Sequence, residues 1–163
     1  MKKYFILIFL LSAVIYSQSG DSLVGVWQDL DVVAAGWSNT FLFFPDGSFK
    51  FFYSQMDHRK RETGFSGTWH VEGDGLLLDV AQRELLEGGR LVPDETGRLS
   101  DSVLVDASIQ TTLYRPPSKE EMSISKIYTD GNSAMGIYIY IDAIKFFLMS
   151  KNPSELLHEF EGK

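Results

Sequence analysis

TFLFFPDGSFKFFYS, residues Thr40 to Ser54, contains two aromatic-rich runs separated by a short turn sequence. Pro45 fixes the backbone of the first turn position, and Asp46 is a favoured turn residue. Gly47 can adopt the left-handed conformation that closes a hairpin with a bulge. Aromatic runs on both sides of such a turn are typical of paired antiparallel strands. The segment therefore predicts a β-hairpin and an all-β fold class.

Side chains alternate between the two faces of a strand, and both faces of this hairpin are partly apolar. The first face carries Phe41, Phe43, Phe49, Phe51 and Tyr53. The second face carries Leu42, Phe44 and Phe52 beside Lys50 and Ser54. Either another element covers the second face, such as a C-terminal helix or a partner chain, or its aromatic residues are tolerated singly in solvent. We expect cover from within the chain.

The middle of the chain continues as short apolar runs broken by turn residues, as strands do. A second hairpin is predicted around the glycine-containing turn Glu72–Gly75. Further strands are predicted at Glu84–Val92 and Leu99–Asp106, on either side of a polar loop, with Ile109–Tyr114 as a continuation that ends at two prolines. Residues 118–128 fit both the start of a helix and a strand, and the pattern leaves that choice open.

The last third predicts strands at Ile137–Ile141 and Ile144–Leu148, because β-branched and aromatic residues dominate both. The tail Asn152–Phe160 has an N-cap residue, a proline at the first helical position and leucines at helical spacing, which predicts a short helix. Together these segments predict a single antiparallel up-and-down β-barrel of about 8–10 strands with a short C-terminal α-helix.

Residues 1–19, MKKYFILIFLLSAVIYSQS, have two lysines, an apolar run from Tyr4 to Tyr16 and then small polar residues. This is the pattern of a signal peptide, and the run is shorter than the roughly 20 residues that cross a bilayer. Ser17 and Ser19 suit cleavage before Gly20, and cleavage after Ser17 is the alternative. We therefore expect an exported protein, periplasmic or extracellular, with one domain over residues 20–163 and no transmembrane segment.

The composition limits the possible partners and the sources of stability. The net charge of −7 disfavours nucleic acid and anionic membranes as partners. The absence of cysteine excludes disulfides, so burial of apolar surface must stabilise the fold.

The motif Gly-x-Trp occurs twice, at Gly25 and Trp27 and again at Gly67 and Trp69. A glycine in a strand allows another backbone or ring to approach closely, and a residue two positions later points to the same face. Each pair therefore places a narrow gap beside a large indole, which suits the closure of one end of a small barrel.

These motifs, in this order, resemble the bacterial exported lipocalin-like domains, a group of calycin-type β-barrels. The residues that carry the resemblance are Leu23, Gly25 and Trp27, then Phe43, Asp46, Gly47 and Phe49, then Gly67 and Trp69, then Gly73 and Gly75. The resemblance implies an up-and-down barrel that holds a small hydrophobic ligand.

No motif in the chain indicates a catalytic or metal site. His58, His70 and His158 lack the spacing of metal ligands, and His70 should point outward from its strand. Gly64–Gly67 is one residue short of the elbow that presents a serine nucleophile. We therefore expect no enzymatic activity, no metal and no cofactor.

Two hypotheses for the function remain. In the first, the barrel binds a small hydrophobic ligand, with Phe41, Phe43, Phe49, Phe51 and Tyr53 lining the cavity and Trp37 guarding its entrance. Trp37 lies in the apolar loop Val32–Asn39, which could also simply pack on the rim. In the second, the barrel is filled and acts as a protein-interaction or envelope-associated module through its apolar outer face or the basic loop Asp57–Glu62.

Overall fold

The computed structural model describes residues 20–31, 38–54, 61–93, 103–132, 135–155 and 157. These residues form nine β-strands preceded by the short 3-10 turn Gly20–Leu23. The strands are β1 (Gly25–Gln28), β2 (Thr40–Phe43), β3 (Ser48–Phe52), β4 (Glu62–Glu72), β5 (Gly75–Val92), β6 (Val103–Ser123), β7 (Tyr128–Thr129), β8 (Ile137–Ile141) and β9 (Ile144–Ser150). The signal-peptide prediction for residues 1–19 lies outside the described residues.

All nine strands belong to one sheet, in the order β6-β5-β4-β3-β2-β1-β9-β8-β7. Each neighbouring pair is antiparallel. The prediction of an all-β, antiparallel fold is therefore confirmed. The sheet is a meander except at one place, where β9 returns to pair with β1.

Both predicted hairpins are present. In the first, β2 and β3 pair with Phe43 opposite Phe49, and Gly47 has a φ of 79°. The Asp46 carboxylate accepts hydrogen bonds from the Ser48 amide at 2.9 Å and from the Ser48 hydroxyl at 2.6 Å. Both bonds lower the pKa of Asp46 below its usual 3.8, and the bond from the hydroxyl has the larger effect. The second hairpin joins β4 to β5 through Gly73, which also has a positive φ.

One face of the sheet, here called the inner face, carries nearly all of the core. Its buried residues come from every strand between β1 and β5 and from β8 and β9, and they form one cluster. The cluster includes Trp27, Phe41, Phe49, Phe65, Trp69, Leu78, Ile139 and Phe146. Because residues from both ends of the strand order meet in one cluster, the sheet must curve around its inner face.

The strand order shows that the prediction of a closed barrel is wrong. β6 and β7 stand at opposite ends of the sheet and form no ladder with each other among the described residues. The two ends meet at what we call the seam, where Ser123–Ser125 lies beside Tyr140–Asp142. Ile124 forms an isolated bridge with Ile141 there, and flanking backbone bonds join Asp142 N to Ser123 O and Ser125 N to Tyr140 O, both at 3.0 Å. Before the seam β6 pairs with β5, and after it β7 pairs with β8.

The predicted C-terminal helix is also corrected. Its first residues, Asn152–Glu155, form a turn in which the Glu155 amide bonds to the Asn152 carbonyl at 3.2 Å, and residues 156 and 158–160 lie outside the described residues. The Ser150 hydroxyl bonds to Asn152 and Glu155, so local polar contacts hold this turn. A helix of nine residues has little stability of its own, and its formation depends on packing.

The outer face of the first hairpin is covered from within the chain, as expected. Val26 and Leu42 are fully buried there, although they lie on the face opposite the main core. Partly buried residues that pack against them include Phe52, Met149 and Leu157. The tail therefore provides part of this cover through Leu157.

The hairpin of β5 and β6 is much longer than predicted. β5 has 18 residues and β6 has 21, and β6 continues through both prolines instead of ending there. Proline is tolerated because β6 is at the edge of the sheet and both prolines lie in an irregular stretch of the ladder, between Leu113 opposite Gln82 and Ser118 opposite Val80. Past the end of β4, Leu86–Val92 and Val103–Ile109 form a two-stranded ribbon that we call the arm.

Candidate functional site

The aromatic residues predicted to line a ligand cavity lie together on the inner face. Phe41, Phe43, Phe49 and Phe51 are all buried. The Phe41 ring centroid lies 5.2 Å from that of Phe43 and 4.4 Å from that of Phe51. These rings therefore pack directly against one another. Tyr53 continues the row at one end, half-buried, with its ring 4.9 Å from Phe51. Trp37, the predicted entrance residue, lies outside the described residues.

Both glycines of the Gly-x-Trp motifs are sites of close backbone approach. A Cβ atom added at Gly25 would lie 2.5 Å from the Ser150 carbonyl oxygen in β9. One added at Gly67 would clash with the Asp79 carbonyl oxygen in β5. In each case the group that needs the space is the backbone of the neighbouring strand, and the indole two residues later packs into the core.

The two buried indoles differ in their hydrogen bonding. Trp27 is fully buried, and its Nε1 donates to the Leu23 carbonyl at 2.8 Å. Trp69 is also buried, with its ring 5.0 Å from that of Phe43. Its Nε1, however, has no hydrogen-bond partner within the described residues. Leaving a buried donor unpaired costs about 1–3 kcal/mol, so the indole of Trp69 needs an explanation that the indole of Trp27 does not.

Three ionised side chains form a cluster at the Tyr53 end of the inner face. Arg83 lies opposite Phe65 in the β4–β5 ladder, and its guanidinium lies 4.9 Å above the Phe65 ring centroid. Its Nη1 donates to Glu62 and its Nη2 donates to Glu120. All three side chains are partly buried, with 21–29% of each exposed. We call these three residues the charged cluster.

The charges of the cluster do not cancel. Burial alone would lower the pKa of Arg83, but the hydrogen bond that Arg83 donates to Glu62 and the charge of Glu120 outweigh burial and raise it. Tyr53 lies beside the cluster, and burial, followed by the charge of Glu62, raises its pKa above 10.0. Tyr53 is therefore neutral at neutral pH. One guanidinium therefore faces two carboxylates, a formal excess of one negative charge.

Sequence reasoning missed the charged cluster because a β-bulge reverses the alternation in β5. Leu78 and Val80 face the core, so a regular strand would place residues 82 and 84 inward and Arg83 outward. The register shifts at Ala81, since Gly67 pairs with Val80 while Ser66 pairs with Gln82. Past this bulge the odd-numbered residues face inward. The sequence does contain one signal: Arg83 has no acidic residue two positions before or after it, where side chains share its face of the strand.

The unpaired indole and the charged cluster share the same face. In the ladders of β4, β5 and β6, Trp69 lies opposite Leu78, and Leu78 lies opposite Glu120. Directly opposite residues point to the same side of a sheet. A hydrogen-bond donor, an apolar residue and a carboxylate therefore form one row across the inner face, with Trp69 and Glu120 about 10 Å apart at the ordinary strand spacing.

The other candidate residues lie away from this row. His70 is exposed on the outer face, as predicted, while His58 and His158 lie outside the described residues. Within the described ranges, no group of three or more metal-ligating side chains is close enough to hold a metal ion. From the basic loop, Arg61 donates to the carbonyls of Leu86 and Gly88 and so binds the base of the arm.

A scan against protein-family models found no match, and searches of curated proteins and of solved structures found none either. In the part of the chain that the structure describes, no helix has both the length and the apolar character needed to cross a membrane.

Proposed function

We propose that the protein is an exported, lipocalin-like binding protein without enzymatic activity, which holds a small, largely apolar molecule on the inner face of its curved sheet. The observation that carries this proposal is the buried Nε1 of Trp69, which has no hydrogen-bond partner among the residues that the structure describes. A ligand with a carbonyl or ether oxygen would accept this hydrogen bond and remove the cost of leaving it unmade.

The surroundings of Trp69 support a ligand of this kind. Binding sites for small molecules combine mostly apolar walls with a few polar groups that fix orientation. Here Phe43 and Leu78 are apolar neighbours of the indole, and the charged cluster supplies the polar groups at one end. The sheet needs no closing ladder for this role, because its curvature already gathers the inner faces of the strands around one core.

Native mass spectrometry of residues 20–163, purified from the host without detergent, tests the proposal. We expect a reproducible extra mass that denaturation releases. Trp69→Phe should lose this mass, because phenylalanine keeps an apolar ring but has no donor. Trp27→Phe is the matched control and should keep it. Trp69→Phe protein that retains the full extra mass would contradict a role for the indole, and wild-type protein without extra mass would contradict binding.

A second candidate function, a protein-interaction module, is favoured by the arm. Leu91 and Ile109 are large apolar side chains on this ribbon, and each is about half exposed. Leu113, further along β6, is similarly exposed. Exposed apolar residues grouped on one element are typical of interaction surfaces.

Replacing Leu91 and Ile109 together by serine tests this second candidate. The change should abolish capture of a partner from the host's exported fraction and leave the melting temperature within about 2 °C of wild type, because few core contacts are lost. Unchanged capture by the double variant would exclude the arm as the interaction surface.

A further inference from the structure

Among the described residues, the inner face carries one more carboxylate than it has cationic side chains. In the part of the described sheet that surrounds the core, the ionised side chains on this face are Glu62, Arg83 and Glu120. Their orientation follows from the ladders, in which they lie opposite Leu85, Phe65 and Leu78 respectively. Arg83 binds one oxygen of each carboxylate. The remaining carboxylate oxygens can still accept a donor or attract a cation.

Because the cluster is partly buried, its negative charge discriminates between ligands of different charge. Charges interact more strongly where water is partly excluded, and a second anion beside an unbalanced carboxylate is repelled. A ligand whose polar end is a carboxylate would therefore meet repulsion at the charged cluster, whereas an ammonium group would be attracted.

Aromatic rings beside the cluster can hold a cation. Arg83 already lies over the Phe65 ring at 4.9 Å, so a positive charge is stable against an aromatic face at this place. Phe51 contacts both Phe65, at 4.8 Å between centroids, and Tyr53, at 4.9 Å. These rings continue from the charged cluster into the apolar part of the inner face.

We propose that the ligand of the inner face is a cationic amphiphile, with an amine or quaternary ammonium at one end, an apolar chain, and a neutral carbonyl or ether oxygen. The cation lies beside Glu120, and the oxygen accepts the hydrogen bond of Trp69 Nε1. The cross-strand row from Trp69 through Leu78 to Glu120 places the two polar groups on one face. This proposal rests on the proposed function and names the class of molecule that the site selects.

Three probes with the same twelve-carbon acyl chain separate the effect of charge from that of the chain. Lauroylcholine is cationic, 1-monolauroylglycerol is neutral, and laurate is anionic. Affinities are measured by isothermal titration calorimetry with ligand-free protein, below the critical micelle concentration of each probe. We expect lauroylcholine to bind about tenfold more tightly than monolauroylglycerol, equivalent to about 1.4 kcal/mol, and laurate to bind most weakly. Added salt should reduce the preference for the cation.

Glu120→Gln tests the origin of the preference. It removes the negative charge but keeps a side chain of the same size, and Glu62 still pairs with Arg83. We expect the ratio of the lauroylcholine affinity to the monolauroylglycerol affinity to fall below about threefold, by loss of the charge attraction. Glu121→Gln is the matched control, since Glu121 is the next residue in β6 and is exposed on the outer face. It should leave the ratio unchanged.

The outcomes distinguish the inference from the proposed function. Equal or tighter binding of laurate, with binding of the neutral probe, would overturn the cationic class and leave ligand binding intact. A preference for lauroylcholine that survives in Glu120→Gln would overturn the role of the charged cluster. Failure of all three probes to bind would overturn both proposals.

Discussion

The tryptophans of the two Gly-x-Trp motifs differ in the hydrogen bonding of their indole N–H groups. Trp27 donates its hydrogen bond to the backbone that precedes its own strand, whereas the donor of Trp69 is buried without an acceptor among the described residues. The first is therefore a structural residue whose polar atom is satisfied. The second combines a core ring with a polar atom available to a ligand, which is the basis of the proposed function.

This difference predicts unequal effects of the same substitution. In ligand-free protein, Trp27→Phe removes ring volume and also orphans the Leu23 carbonyl, whereas Trp69→Phe removes similar volume together with an unpaired donor. Trp27→Phe should therefore lower the free energy of unfolding by about 1–3 kcal/mol more than Trp69→Phe does. Urea denaturation of both variants measures the difference. An equal or larger loss for Trp69→Phe would show that its N–H is satisfied in the ligand-free protein.

Gly67 allows a second comparison between single residues. A Cβ at this position would clash with the Asp79 carbonyl, which is backbone and cannot rotate away. Gly67→Ala should cost about 3 kcal/mol through forced separation of β4 and β5. Gly131→Ala is the control, because nothing lies within 4 Å of its added Cβ and its φ is not positive. Thermal melting of both variants tests this, and a Gly67→Ala protein as stable as Gly131→Ala would contradict the steric role.

At the scale of elements, the local sequence predicts the two hairpins but does not predict the length of the edge strand β6. The turns at Pro45–Gly47 and Gly73–Asp74 were predictable because turn residues specify their geometry locally. The length of β6 was not predictable, because two prolines normally end a strand and are tolerated only at edges and irregularities of the ladder, which depend on register. The bulge at Ala81 was equally hidden, since it depends on the register between strands. For this reason the aromatic half of the candidate site was found from the sequence and the charged half was not.

The first hairpin has a stability that depends on pH through its turn. The hydrogen bonds from Ser48 lower the pKa of Asp46 in the folded state below 3.8. The stabilisation is therefore present above the unfolded pKa and is lost as the pH falls through the lower, folded pKa. Comparison of wild type with Asp46→Ala by urea denaturation should show a stability difference at pH 7 that shrinks steadily on acidification below pH of about 4. A difference that is constant down to pH 2 would contradict this assignment.

At the scale of the whole molecule, the sheet curves around one core and its ends meet at the seam. The sequence predicted the number of strands and the meander, because alternation and turns act locally. It did not predict where pairing stops, since closure depends on how far distant strands slide past one another. The side chain of Asp142 strengthens the seam by accepting a hydrogen bond from the Ser123 amide at 2.8 Å.

The seam should respond to removal of this acceptor. Asp142→Gly deletes the carboxylate but suits the positive φ of 47° at this position. We expect faster amide hydrogen exchange at Ser123, Ser125 and Asp142, with a loss of about 1 kcal/mol in the free energy of unfolding. Asp142→Asn, which keeps an acceptor oxygen, should exchange nearly as slowly as wild type. Unchanged exchange in Asp142→Gly would show that the backbone bonds alone hold the two ends together.

The pairing of β1 with β9 also bears on when the chain can fold. Val26 lies opposite Ser150, so two strands at the centre of the sheet are separated by most of the chain. When the chain emerges N-terminus first, β1 can pair with β2, but the other edge of β1 stays unpaired until β9 has emerged. Contacts between residues so far apart in sequence form slowly. Under the export that we propose, this order of assembly would leave the sheet unfinished until its last strand had crossed the membrane.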